Sequence, residues 1–291
     1  MDAQSSLLRS QYTICKPSIH NSIVPSYLST TLVASSRTRC SFAFSSLATK
    51  TKLKFRACVK ELQNEPVTED DMKSKIRRKS LAVFVSGGGS NFKSLHEAAV
   101  NGFVHGDINV LVTNKPDCGG AAYARDNDIP VILFPKSKDG SGLSPIDLVN
   151  ELRSYNVDFI LLAGFLKLIP AELVQAFPRS ILNIHPSLLP AFGGKGFYGT
   201  KVHKAVISSG ARFSGPTIHY VDEEYDRGRI LAQRIVPVLP NDTAEELAGR
   251  VLHEEHKLYR EVVAALCEER IMWREDGVPL IQSRENPELY M

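Results

Sequence analysis

The stretch Leu81-Ala82-Val83-Phe84-Val85-Ser86-Gly87-Gly88-Gly89-Ser90-Asn91 decides the fold. Five consecutive apolar residues without alternation are expected of a strand covered on both faces, the habit of a central parallel strand. Three glycines follow after one serine, and from Phe92 to Val100 apolar residues recur at helical spacing. Strand, glycine turn and helix form a layout that can hold phosphate. Glycine lets the backbone approach an anion, and the first N–H groups of the helix face it. Ser90 and Asn91 would add side-chain donors at the helix start. The same turn occurs in α/β proteins as plain structure, so by itself it leaves the ligand open.

Moving outward, the alternation continues. Ile108 to Thr113, Val131 to Phe134 and Phe159 to Ala163 read as further buried strands, separated by helical stretches at Gly119 to Asn127 and Asp147 to Tyr155. This predicts an α/β domain: a Rossmann-like, mostly parallel twisted sheet with helices on both faces. The second strand runs into Asn114-Lys115, where a dinucleotide site would want an acidic residue for the ribose, and the glycine spacing lacks the full fingerprint. A simple phosphate monoester suits the turn better than a nicotinamide cofactor. Lys136 to Leu143 is polar and glycine-rich, as expected of a mobile loop bordering a site. Val202 to Ser209 reads as a helix, Thr217 to Val221 as a strand and Ile230 to Val238 as one more strand. Thr243 opens a long helix to about Cys267, with Thr243 and Glu246 as a capping box. Arg270 to Trp273 and Val278 to Ile281 are expected to pair as a terminal hairpin.

The chemistry concentrates at Asn183-Ile184-His185-Pro186-Ser187-Leu188-Leu189-Pro190, which continues a strand begun at Ser180-Ile181-Leu182. Alternate strand residues share a face, so Asn183 and His185 point together while Ile184 packs. Pro186 ends the strand, leaving the pair at its carboxyl end, where open α/β sheets bind ligands. An amide N–H beside an imidazole N–H can donate to one oxygen, which suits negative charge growing on a carbonyl under attack. A polar strand end with its histidine satisfied by a backbone carbonyl would look the same in isolation. Gly164 to Pro170 offers an apolar lip with one lysine, fit for a flat ring system or equally for core; spacing does not decide. Ala191 to Gly199 sets four glycines around Lys195, a cationic loop that could close over a phosphate or carboxylate. Asp222 to Gly228 is an acidic loop returning toward the sheet.

The chain has 291 residues, 43% hydrophobic, enough for a substantial core, and no apolar run reaches the ~18 residues of a membrane helix. Its net charge of +3 is uneven: residues 1–79 carry 14 basic and 6 acidic side chains, the remainder 21 and 26. The basic excess that would hint at nucleic acid therefore lies outside the body. Residues 1–60 hold twelve serines, nine Lys or Arg and one acidic residue, Asp2, with no long apolar segment. That composition is expected of an organelle transit peptide, plastid-directed in character, with a mitochondrial address as runner-up. Residues 61–79 read as a charged linker, 80–284 as the catalytic body and 285–291 as a tail. Cys118 and Cys267, the two cysteines of the body, have no metal-ligand spacing and read as free thiols.

Taken in order, Ser86 to Asn91, Leu162 to Ile169, Leu182 to Pro190 and His219 to Gly228 resemble the folate-dependent phosphoribosylglycinamide formyltransferase family over about residues 80–284. The resemblance implies the formyltransferase fold and transfer of a formyl group from 10-formyltetrahydrofolate, as cosubstrate, to the amine of glycinamide ribonucleotide. It implies catalysis by Asn183, His185 and Asp226, with Asn183 and a protonated His185 donating to the oxyanion. Gly89, Ser90 and Asn91 would hold the phosphate, and Leu252, His253, Glu254 and Glu255 would meet the ribose. Leu166, Lys167, Leu168 and Ile169, with Asn183 and Asp222, Glu223, Glu224, Tyr225 and Asp226, would frame the folate; Lys195 would add charge. No metal is implied, nor a nucleic-acid or membrane partner; the assembly expected is a monomer or homodimer, in the plastid stroma. The chain departs from the family at Ser144-Pro145, where an arginine is common and where either Lys136 or Lys138 substitutes or the contact is missing, and in a loop after Pro190 longer than that of many bacterial members.

The alternative is formyltetrahydrofolate deformylase, which gives the formyl group to water. Its members carry an N-terminal regulatory domain that residues 1–79 do not resemble. Methionyl-tRNA formyltransferase needs a C-terminal RNA-binding domain for which the chain leaves no room. A non-catalytic nucleotide-binding module would leave Asn183, His185 and Asp226 without a purpose.

Overall fold

The computed structural model describes residues 77–136 and 140–290. The expected transit peptide, most of the expected linker and residues 137–139 of the expected mobile loop, Lys138 among them, lie outside the described residues. In chain order the first half comprises β1 (Lys79–Val85), α1 (Ser90–Val100), β2 (Gly106–Thr113), α2 (Gly119–Asp126), β3 (Val131–Leu133), α3 (Pro145–Ser154), β4 (Phe159–Leu162) and α4 (Ala171–Ala176). The second half comprises β5 (Ile181–His185), α5 (Thr200–Ser209), β6 (Phe213–Ser214), β7 (Thr217–Tyr220), β8 (Ile230–Gln233), β9 (Val236–Pro237), α6 (Ala244–Cys267), β10 (Ile271–Trp273) and β11 (Pro279–Ile281).

Seven strands form one sheet in the order β3-β2-β1-β4-β5-β7-β8. The first five are parallel, whereas β7 pairs antiparallel with β5 and β8 antiparallel with β7. The apolar run of β1 is buried on both faces, as its lack of alternation requires. Leu81, Val83 and Val85 pack with Phe92, Leu95 and Tyr259 in one core; Ala82 and Phe84 pack with Leu148, Leu152 and Leu173 in the other. Helices therefore cover both sides. Tyr259 of α6 is fully buried and its hydroxyl donates to the Leu162 carbonyl at 3.1 Å, so the polar tip of a large core side chain is satisfied. Thr243 and Glu246 form the expected capping box.

The edges depart from the sequence reading. Lys79 already belongs to β1, and Arg77 and Arg78 pair with Asp158 and Asp107, each at 2.6 Å. The expected tail turns back, with a bridge between Gln282 and Tyr290. The single strand expected from Ile230 to Val238 is two: β8 serves the main sheet and β9 pairs with β6 in a small ribbon. Between them Arg234 donates its N–H to the Pro216 carbonyl at 3.1 Å, outside either ladder. Helix α4, six residues after Pro170, is too short to show a period in sequence. No helix among the described residues is long and apolar enough to cross a membrane.

Candidate active site

The carboxyl end of β5 carries the polar cluster. Leu182 and Ile184 face the core, while Asn183 and His185 share the other side of the strand. Antiparallel β7 brings His219 opposite Asn183 in register, with the Asn183 Nδ2 3.1 Å from His219 Nε2. His219 Nδ1 lies 2.8 Å from the Tyr220 carbonyl, which only an N–H can use, so Nδ1 carries a proton. The loop after β7 then returns Asp226 to the same point. Asp226 has φ 56°, and Gly228 passes so near Tyr220 that a Cβ there would sit 1.8 Å from its carbonyl oxygen. That close passage permits only glycine and fixes where the loop re-enters the sheet.

Asp226 lies 3.5 Å from His185 Nδ1 through Oδ2, and its Oδ1 is 3.4 Å from the Asn183 Nδ2 and 3.6 Å from His219 Nε2. Its Oδ2 also accepts the Gly194 N–H at 2.8 Å, which ties the glycine-rich loop to the cluster. Burial works against the Asp226 charge, but the His219 and His185 rings and the Gly194 N–H outweigh it and hold the carboxyl below its ordinary range.

The resemblance implies a protonated His185. The balance goes the other way. His185 is 4% exposed, and burial pushes its pKa down more than Asp226 and the Phe192 carbonyl push it up; His219 pushes it down further. The free protein thus holds His185 neutral near pH 7. Its two nitrogens nevertheless face two acceptors, the Asp226 carboxylate and the Phe192 carbonyl at 2.9 Å, so a proton arriving on the ring is well received. Burial keeps the base free, and its partners stabilise the cation once formed.

These groups form one wall of a cavity of about 670 Å³. Leu166, Lys167, Leu168 and Ile169, with Asp222, Glu224, Tyr225 and Asp226, also line it, as do Asn91, Leu252, Glu255 and Lys195. Asn91 donates to Glu255 at 2.7 Å, and burial holds the Glu255 carboxyl above its usual range, protonated more readily than a surface glutamate. The Asn91 Nδ2 is therefore taken and its Oδ1 is buried without a hydrogen-bond partner, and the side chain does not cap α1: Gly89 occupies the N-cap position with φ 74° and no side-chain cap. Phosphate would be met by the unpaired backbone N–H groups of the first turn instead.

Five expected residues do not line the cavity. Gly89 and Ser90 sit in the adjoining turn, and Glu223 faces Gln175 instead. His253 and Glu254 fall off the lining face of α6, where Leu252 and Glu255, three apart, share it. Glu254 is taken by Arg234 at 3.0 Å and Lys257 at 2.8 Å. The Ser144 hydroxyl caps α3 by accepting from the Asp147 N–H, a structural use of the position where the sequence reading expects an arginine to be common. His219, His203 and the Gly194 N–H carry no role in the sequence reading. Only the pairing of Asn183 with His219 across two antiparallel strands would have signalled the first of them.

A formyl transferase family model matches residues 79–263. The chain belongs to that family. It is 73% identical over 230 residues to a chloroplastic phosphoribosylglycinamide formyltransferase of Vigna unguiculata, covering 78% of this chain and 74% of the relative. It is 65% identical over 260 residues to the chloroplastic phosphoribosylglycinamide formyltransferase of Arabidopsis thaliana, covering 88% and 89%. The fold is similar to the crystal structure of glycinamide ribonucleotide transformylase 1 from Symbiobacterium toebii, at TM-score 0.64 and 31% identity, covering 71% of this chain and 95% of that one. In this formyl transferase the matched region spans Asn183, His185 and Asp226.

Proposed function

We infer that the protein transfers the formyl group of 10-formyltetrahydrofolate to the amine of glycinamide ribonucleotide. The products are formylglycinamide ribonucleotide and tetrahydrofolate, a step of de novo purine synthesis. One observation carries the reading: Asn183, His185 and Asp226 meet in a cavity that the Asn91–Glu255 pair, beside a glycine turn, also lines. The amine nitrogen attacks the formyl carbon, a new C–N bond forms, and the carbonyl oxygen becomes an oxyanion. The Asn183 amide donates to that oxyanion, an interaction worth about 3–4 kcal/mol of barrier. His185, neutral beforehand, takes up the proton the amine loses and passes it to the departing folate nitrogen; Asp226 stabilises the imidazolium between the two events. Backbone N–H groups after Gly89 hold the phosphate, Glu255 meets the ribose, and Leu166 to Ile169 with the Asp222–Asp226 loop hold the pterin.

The plant relatives are named chloroplastic, and the serine-rich basic composition of residues 1–60 supports a plastid address in this chain, with the stroma as the working compartment. Tetrahydrofolate release from 10-formyltetrahydrofolate, followed with and without glycinamide ribonucleotide, tests the reaction. Release only in its presence is expected. Equal release without it would move the assignment to the deformylase.

A further inference from the structure

One buried imidazole has no part in the scheme above. His203 lies in the first turn of α5, is 5% exposed, and its Nδ1 is buried without a hydrogen-bond partner. Native proteins seldom leave such an atom unpaired, because its lost hydration is not recovered. Val202 and Val206 of the same helix are fully buried against Leu247 and Val251 of α6, which fixes the α5 backbone that carries the ring. It lines the cavity together with His185, Leu252 and Glu255. Burial first, and the neighbouring His185 second, hold its pKa below the ordinary imidazole value, so near pH 7 it keeps a bare nitrogen able to accept a hydrogen bond.

We propose that His203 is a substrate-contact residue. Its unpartnered ring nitrogen hydrogen-bonds the polar glycinamide portion of the ribonucleotide, which fills the space between Glu255 and His185. The proposal rests on the reaction given under Proposed function and adds to it a residue that selects for the amine-bearing substrate. His203 lines the cavity with Glu255, which meets the ribose in the reaction proposed above. On that reading its loss should be felt by the ribonucleotide and not by the folate.

The test uses the full chain and steady-state kinetics with each substrate varied in turn. His203→Leu, which keeps volume and removes the acceptor, is expected to raise KM for glycinamide ribonucleotide about tenfold and to leave KM for 10-formyltetrahydrofolate within about twofold. His203→Asn, which restores a polar atom near the Nδ1 position, is expected to recover most of the loss. An unchanged KM for the ribonucleotide, or equal rises for both substrates, would overturn the proposal while wild-type turnover leaves the reaction itself standing. A second measurement needs no stable variant at His203. In wild-type protein labelled with 15N-histidine, saturating glycinamide ribonucleotide should move the ring-nitrogen resonance of His203, and a resonance that stays in place would also refute it. Absence of any wild-type formylation would instead strike at the function.

Discussion

Where β1 ends, the chain turns through three glycines into a helix and offers backbone; where β5 ends, it meets antiparallel β7 and offers side chains. Both ends open on one cavity. The first region depends on close approach, with Gly89 at φ 74° and so near α2 that a Cβ would stand 2.8 Å from the Gly120 Cα. The second depends on titratable groups held within 3.6 Å of one carboxylate. The difference assigns binding to one strand end and chemistry to the other, and it can be broken by substitutions that act on only one of them.

Asp226→Asn tests the chemical end and carries the largest expected effect. The side chain can still accept the Gly194 N–H, so the loop is retained, but the charge that receives a proton-bearing His185 is gone. A fall in kcat of about 10²–10⁴ is expected, with KM for glycinamide ribonucleotide within about threefold. Comparable losses in both would mean that Asp226 serves the architecture of the site and not the reaction. Gly89→Ala tests the other end. A side chain at positive φ costs about 1–3 kcal/mol, and the contact with Gly120 forces the turn to shift. Because the turn meets the phosphate, KM for the ribonucleotide should rise ~10-fold or more while kcat changes little. A kcat loss of the same size would erase the division between the two ends.

The same contrast explains what could be read in the chain beforehand. The strands β1, β2 and β4 and the helices between them announce themselves because an element buried on both faces must be continuously apolar and a helix must repeat. Asn183 and His185 were legible as a pair because strand geometry alone aligns them. His219 was not, since its partner Asn183 is 36 positions away and reaches it only through an antiparallel pairing at the edge of a mostly parallel sheet. Asp226 came from the family resemblance; nothing in Asp222 to Asp226 distinguishes it from the acidic residues beside it. Its selection is made by a left-handed backbone and the tight passage at Gly228. The charge state of His185 was misjudged for a related reason: a carboxylate partner can be anticipated from sequence, but the depth of burial that outweighs it cannot.

A smaller effect separates the ends by stability. Glu255→Ala leaves Asn91, whose Oδ1 already lacks a partner, with its Nδ2 unpaired as well. A loss of about 1–3 kcal/mol is expected from denaturant unfolding. Glu255→Gln keeps a neutral acceptor for the Asn91 amide and should stay near wild type. If the glutamine variant is as unstable as the alanine one, the carboxyl must be charged and paired differently from the geometry described.

The mildest test is pH, and the buried groups of the site should respond in opposite directions. His185 and His203 both have folded pKa values held below the ordinary 6.5 by burial. Above pH 6.5 the imidazoles are neutral folded or unfolded, and their contribution is complete. As pH falls below 6.5 the unfolded chain takes up protons that the folded rings refuse, so stability declines with acid. Glu255 works in reverse. Its folded pKa is raised above the ordinary 4.5, so the folded state binds the extra proton, and this contribution is lost as pH rises from 4.5 through the raised value. In the acid window His203→Asn should therefore lose stability less steeply than wild type, by up to one proton per molecule in the slope, and Glu255→Gln should flatten the opposite trend. Thermal midpoints between pH 8 and pH 5 measure both slopes. Identical acid slopes for wild type and His203→Asn would mean that the His203 ring is protonated in the folded protein, and a ring protonated on both nitrogens has no lone pair with which to accept a hydrogen bond from substrate.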